Sequence, residues 1–172
     1  MKKQIRVVVI GLVLFLTLAA LKEGLMAEEQ KIKTGFEISF HHVAISVADL
    51  DKSIAWYREM LGFEVVVRMD QGVTADKMSI GHIRRGNCYI ELFQVEGSKP
   101  LPEYRRDPNA DFKVQGLKHF ALQVSDTKAA VKELTAKGVE IAFGPVDTPE
   151  ICFAFIRDNS GNAFELIEYK KI

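Results

Sequence analysis

Cysteine is scarce in this chain: Cys88 and Cys152 are the only two among 172 residues. Each lies in an apolar, strand-like stretch where a buried free thiol is the commoner state, and neither has a catalytic signature around it. A disulfide between them is the less favoured expectation, open only in an oxidising compartment. Net charge is missing too, with 23 basic against 23 acidic residues, so no basic face is implied and nucleic acid is not an expected partner. Proline is confined. Three of the five, Pro100, Pro102 and Pro108, fall between Glu96 and Gly116, which marks that stretch as a connection. Long apolar runs are absent except at the front. What remains is an ordinary globular composition, 48% hydrophobic and 27% charged, in a length that predicts one domain able to bury a real core.

The front run reads as an export segment. Met1 to Arg6 carries three positive charges, and Val7 to Leu21 is 15 uncharged, mostly apolar residues. That is shorter than the ~20 residues a membrane-spanning helix usually needs, and the basic start holds the N-terminus in the cytoplasm. Lys22-Glu23-Gly24-Leu25-Met26-Ala27 is an imperfect cleavage site, with Leu25 where a smaller side chain is preferred. Residues 1–30 are thus expected to be a signal peptide cleaved near Ala27 or, uncleaved, a membrane anchor through residues 5–21. Either outcome places the rest outside the cytoplasm, in a periplasmic or extracellular space. No cysteine follows the apolar run, so lipid attachment there is not indicated.

The remainder is written twice. His42-Val-Ala-Ile-Ser-Val-Ala-Asp49 and His119-Phe-Ala-Leu-Gln-Val-Ser-Asp126 share a His followed seven residues later by an Asp, offset by 77 residues from His42 to His119. Alternation puts His42, Ala44 and Ser46 on one strand face and Val43, Ile45 and Val47 on the other; the aliphatic face must pack on a helix, leaving His42 beside small neighbours where a cavity would be. His41 points the other way and is the weaker candidate. Asp49 or Asp51 caps a helix whose stripe is Leu50, Ile54, Tyr57 and Leu61, and Gly62 ends it. Strands are expected at Phe63–Met69, Met78–Arg84 and Asn87–Val95, with a hairpin at Arg85-Gly86. In the second copy Ser125 or Asp126 caps a helix with Thr127, Ala130, Val131 and Leu134 inward and Gly138 at its end. Strands follow at Val139–Phe143, Cys152–Asp158 and Ala163–Lys170, with the last turn at Asp158–Asn162.

Each copy closes on an apolar strand carrying one carboxylate, Glu91 between Ile90 and Leu92 and Glu165 between Phe164 and Leu166. A carboxylate on a central strand is costly to bury unless a cation compensates it, and a metal ion is one such partner. His82 has no evident counterpart and reads as structural or surface. Arg68, Arg84, Arg85, Arg105 and Arg106 are candidates to hold an anionic group, though solvation is their ordinary state. Tyr89 and Phe93 flank Glu91 on its face. The organisation is therefore module one at 38–95, a linker at 96–116 and module two at 117–170. The linker is long enough to be a lid over a site or simply a tether.

His42 to Ser53 followed by Trp56-Tyr57 and Leu61-Gly62-Phe63, then His119 to Asp126, then Asp158-Asn-Ser-Gly-Asn-Ala-Phe-Glu165-Leu, resembles the vicinal oxygen chelate superfamily, which includes glyoxalase I, methylmalonyl-CoA epimerase, extradiol dioxygenases and bleomycin-resistance proteins. The resemblance covers residues 38–170. It implies an α+β fold of two βαβββ modules, paired curled mixed sheets with one main helix each, enclosing a metal-binding cavity. Carried over by position, the metal ligands would be His42, Glu91, His119 and Glu165, holding one divalent ion: Ni, Zn, Co, Fe or Mn. In this family the modules that share an ion come from one chain or from two, which leaves a homodimer open.

The resemblance also orders the activities. Extradiol dioxygenases do not need a carboxylate at the Glu91 position, whereas glyoxalase I has Glu there. A carboxylate that can leave the metal and take a proton is what transfer next to a carbonyl requires. The expected activity is thus that of a glyoxalase I-like lyase or isomerase acting on a small α-oxo or α-hydroxy compound or its thiol adduct. Glu165 or Glu91 would be the base, Glu165 preferred by analogy. Export counts against the usual glyoxalase substrate, because it removes the domain from reduced cytosolic thiols. The alternatives are a small-molecule binding or resistance protein without turnover and, less favoured, an extradiol-type dioxygenase.

Overall fold

The computed structural model describes residues 36–70 and 77–170. The chain divides into two units, 1–39 and 40–172. Of the first unit only 36–39 are described, without regular structure; the expected export or anchor segment lies outside the described residues. No helix among the described residues is long and apolar enough to cross a membrane.

The second unit holds two four-stranded sheets built the same way. Module one runs β1 (Val43–Ser46), α1 (Leu50–Leu61), β2 (Glu64–Met69), β3 (Met78–Arg85) and β4 (Cys88–Val95), with sheet order β1-β4-β3-β2. Module two runs β5 (Ala121–Gln123), α3 (Thr127–Ala136), β6 (Ile141–Asp147), β7 (Ile151–Arg157) and β8 (Ala163–Tyr169), ordered β5-β8-β7-β6. In each, the first strand pairs parallel with the last and the other pairs are antiparallel. This is the βαβββ repeat expected from the sequence. β1 excludes His42, which the alternation pattern includes: the ladder starts at the Val43–Ile90 pair.

Helix ends follow the capping rules. The Asp49 side chain accepts from Lys52 N at the start of α1, and Gly62 closes it with φ 67°, a left-handed conformation that side chains other than glycine's rarely tolerate. Asp126 caps α3 by accepting from Ala129 N. Leu50, Tyr57 and Leu61 are buried and Ile54 is partly so, as the stripe demanded. β3 passes close beneath α1: a Cβ on Gly81 would stand 3.2 Å from Ile54 and 3.3 Å from Leu50.

One core spans both modules, with Val47, Leu50, Tyr57, Ile90 and Leu92 from the first and Leu134, Ile156, Phe164 and Leu166 from the second. Phe164 stacks on Tyr57 and on Phe120, with Trp56 edge-on to it. Polar contacts lock this junction. The turn after β7 docks on module one through Asp158, whose carboxylate is buried (6% exposed) and accepts from Tyr57 Oη (3.1 Å), Ser160 N, Asn162 N and Asn162 Nδ2. Ala48 N donates to Ser160 Oγ and Asn162 Nδ2 to Ser46 O. Burial, then the Asp158 charge, holds the Tyr57 phenol well above its ordinary pKa. Of the cysteines, Cys152 is buried and Cys88 exposed, both as free thiols; burial is thus corrected for Cys88, which opens β4 beside the hairpin.

The linker carries a 3-10 turn (Glu103–Arg105) and a short helix, α2 (Pro108–Asp111). It packs on module two rather than hanging free. Arg105 Nε donates to Asp111 Oδ1 (2.9 Å), Lys118 Nζ donates to Asp111 O (2.8 Å), and buried Arg157 donates to Arg106 O, Gly161 O and Glu140. The Arg105 guanidinium beside Asp111 holds its carboxyl below the usual range.

Two predictions follow from these ties. Tyr57→Phe removes a hydrogen bond to a carboxylate that keeps three other donors, and should cost about 1–2 kcal/mol in chemical denaturation; a stability equal to the parent's would show that the junction does not need it. A carboxyl with a depressed pKa stabilises the fold above its unfolded value, about 3.9, and stops doing so as pH falls through the lower folded value. The melting-temperature gap between the parent and Asp111→Asn should therefore be widest near neutrality and shrink as pH falls below about 3.9.

Candidate metal centre in two halves

Strand parity sets the site. Ile90 and Leu92 on β4, and Phe164 and Leu166 on β8, are buried in the shared core, so Glu91 and Glu165 project from the opposite faces of their sheets. Glu91 is flanked across the ladder by Ala44 and His82, and Glu165 by Ala121 and Phe155. The small residues leave room over each carboxylate; Ala44, Ser46, Ala121 and Gln123 are all exposed.

Into that room each module brings its own histidine. His42 Nε2 lies 3.7 Å from Glu91 Oε2, and His119 Nε2 lies 3.4 Å from Glu165 Oε2. All four side chains are part-exposed, between 15% and 33%. Two donors bound to one ion at about 2.0–2.2 Å each stand on the order of 3–3.7 Å apart, so each pair has the spacing of adjacent ligands. The chain thus brings His42 to Glu91 and His119 to Glu165. It does not gather all four: among the described residues no group of three or more His, Cys, Asp or Glu side chains is arranged to hold a metal ion.

Two neighbours of the first pair had been set aside on sequence. His82 is half-buried, with Nε2 3.0 Å from Glu91 Oε1. Its counterpart, hidden from sequence, is Phe155, which register places opposite Glu165 as His82 is placed opposite Glu91. His41 also does not point away. It precedes β1, so strand alternation does not govern it; its ring stacks on Tyr89 at 5.3 Å and its Nδ1 lies 2.7 Å from His42 Nδ1. When His42 is the donor of that bond, its Nε2 turns a lone pair toward Glu91, the tautomer a ligand needs. Beside the second pair, Phe155 meets the His119 ring edge-on at 4.8 Å, a packing contact with no hydrogen bond to set the tautomer.

The second pair has a wall. A recess of about 50 Å³ beside His119 is bounded by Leu101, Arg105, Asp111 and Phe112 of the linker and by Phe155 and Arg157. The linker is therefore part of the surroundings of His119. A larger groove, about 890 Å³, lies between α1, α3 and the β3–β4 hairpin; it contains none of the four His and Glu residues, and we do not assign the site to it. Three of the arginine candidates have structural partners: Arg68 pairs with Asp51 and Asp70, Arg84 reaches Tyr89, and Arg85 donates to Leu61 O.

Comparison with known proteins places the fold in a family. Residues 39–166 match the model of the Glyoxalase/Bleomycin resistance protein/Dioxygenase superfamily. An uncharacterized protein of Bacillus subtilis, YwkD, is 34% identical over 136 residues, covering 76% of this chain and 96% of its own. Human mitochondrial methylmalonyl-CoA epimerase is 32% identical over 138 residues, covering 73% and 71%. The chain also matches a protein of Brassica oleracea named "Putative lactoylglutathione lyase" and a lactoylglutathione lyase of Arabidopsis thaliana at 31% and 30% identity, but spans only 44% of their length. Among solved structures, the trypanothione-dependent glyoxalase I of Leishmania major aligns with a TM-score of 0.59 at 27% identity, over 77% of this chain and 87% of that one. With a superfamily model covering both βαβββ modules and lyase and epimerase relatives near 30% identity, this chain belongs to the glyoxalase/bleomycin resistance protein/dioxygenase superfamily.

Proposed function

We propose that the protein is an exported, metal-dependent lyase or isomerase that moves a proton next to a carbonyl in a small α-oxo or α-hydroxy compound or its thiol adduct. One observation carries this reading: each module independently sets one imidazole and one carboxylate at adjacent-ligand distance, 3.7 and 3.4 Å. The relatives named as lactoylglutathione lyases and methylmalonyl-CoA epimerase support the reaction class.

His42, Glu91, His119 and Glu165 would hold one divalent ion, which when bound supplies a Lewis acid for the substrate oxygens. The protein's own part is proton transfer and shelter. Glu165 takes the proton from the hydroxyl-bearing carbon beside the carbonyl and returns it to the carbonyl carbon, while the hydroxyl proton passes to the former carbonyl oxygen. In an epimerisation it returns the proton to the opposite face of the same carbon, and neither case has a net loss of atoms. Leu101 and Phe112 of the linker bound the recess beside His119, and a wall there limits the water that reaches that half of the site.

Because a single chain holds the donors as two pairs, we propose that a homodimer completes the site, module one of each copy meeting module two of the other. The exposed edge strands β1 and β5 and the half-exposed Val65, Val66 and Val67 of β2 suit such contact. The competing reading, capture of a small molecule without turnover, draws on the lack of three converging donors within one chain among the described residues.

Glu165→Gln should lower metal-dependent deuterium exchange at the carbon next to the carbonyl by about 10²–10⁴-fold across a panel of α-oxoaldehydes and thioesters. Fewer than about 0.2 equivalents of bound divalent metal in the purified protein, with no thermal stabilisation by added Ni or Zn, would favour pure binding instead. Mixing inactive His42→Ala and His119→Ala chains tests the shared site: a dimer with crossed modules regains one intact site of two, whereas sites confined to single chains stay inactive.

A further inference from the structure

The modules are copies in backbone but not in the residue that faces each carboxylate across the sheet. On one side the match is complete, Ala44 beside Glu91 and Ala121 beside Glu165. On the other, His82 replaces the ring of Phe155. Phenylalanine has no donor to offer a carboxylate; histidine does.

The geometry uses that difference. His82 Nε2 stands 3.0 Å from Glu91 Oε1, while Oε2 of the same carboxylate faces His42 Nε2 at 3.7 Å. Each oxygen of Glu91 therefore has its own imidazole. In module two, Glu165 faces His119 through Oε2, and Phe155 directs its edge contact to the His119 ring. β3 is an interior strand, paired with β2 and β4, so the backbone of His82 is held from both sides.

We propose that His82 is a positioning residue: its Nε2 pins Glu91 Oε1, so that Oε2 is presented beside His42 as a fixed donor. The proposal rests on the metal reading above and adds an asymmetry to it. A carboxylate tethered at its outer oxygen is suited to stay on an ion, and partners that orient ligands in this way tune affinity. Glu165 faces an apolar ring across the ladder and so has no donor at that register position to tether it, as suits a group that alternates between ion and substrate carbon. The two glutamates occupy one position of the repeat and divide two tasks between them.

The test is metal affinity of the full chain, by calorimetric titration with Ni(II), together with the visible spectrum of the Co(II) form. His82→Phe, which copies module two, should weaken binding by about 10–100-fold and shift the Co(II) bands while leaving circular dichroism unchanged. His82→Gln, whose amide can donate to the same oxygen, should recover most of the affinity and the parent spectrum. Should His82→Phe not fold, His82→Asn, whose shorter amide stops short of Glu91, takes its place against His82→Gln. Parent-like affinity in the Phe or Asn variant, or equal losses in the donating and non-donating variants, overturns the role of His82 and leaves the metal site standing. A parent protein that binds neither ion overturns the metal site and this role together.

Discussion

The constraint on which the site depends is the parity of two strands. β4 and β8 each bury alternate aliphatic or aromatic side chains, Ile90 with Leu92 and Phe164 with Leu166, in the core beneath the helices. A strand that satisfies this burial has no choice about its intervening residue. Glu91 and Glu165 must therefore face away from the core, and the parallel neighbours β1 and β5 must supply alanine beside them. Hydrophobic burial, the larger energy, decides where the smaller and costlier groups go.

Joining the modules is a separate problem, solved on the other face. Phe164 reaches into the aromatic cluster of Trp56, Tyr57 and Phe120, and the Asp158 carboxylate gathers four donors, one of them from the opposite module. A buried carboxylate is tolerable only when its oxygens are satisfied, and here that satisfaction requires Tyr57. Among the described residues the two His and Glu pairs do not converge into one group of three or more donors, which is why the proposed function calls on a second copy. The linker adds its own bias, bounding a recess beside His119 with Arg105 and Asp111 and tied to Arg157 of β7 through Arg106 O.

Much of this was legible beforehand. The doubled His-to-Asp motif and the helix stripes gave two βαβββ modules because period-2 and period-3.6 burial leave direct marks in residue order. Gly62 and Asp126 were readable as a helix end and a cap because capping is local chemistry. The four-residue set His42, Glu91, His119 and Glu165 came from family resemblance, and the structure groups it as two pairs. Asp158 read only as part of a turn, since nothing in its neighbours names Tyr57, 101 residues away, as its partner.

The misreadings share a cause. His82 lacked a visible counterpart because the alignment of the two copies in sequence does not state cross-strand register; hydrogen-bonded pairing alone sets His82 opposite Glu91 and Phe155 opposite Glu165. His41 was assigned to the wrong face because alternation holds only inside a ladder, and the ladder begins at Val43. Residue order specified which elements form and which faces they bury, since those depend on neighbours a few positions away. Which side chains meet was decided by register and by the Phe164 and Asp158 junction, contacts made between residues far apart in the chain.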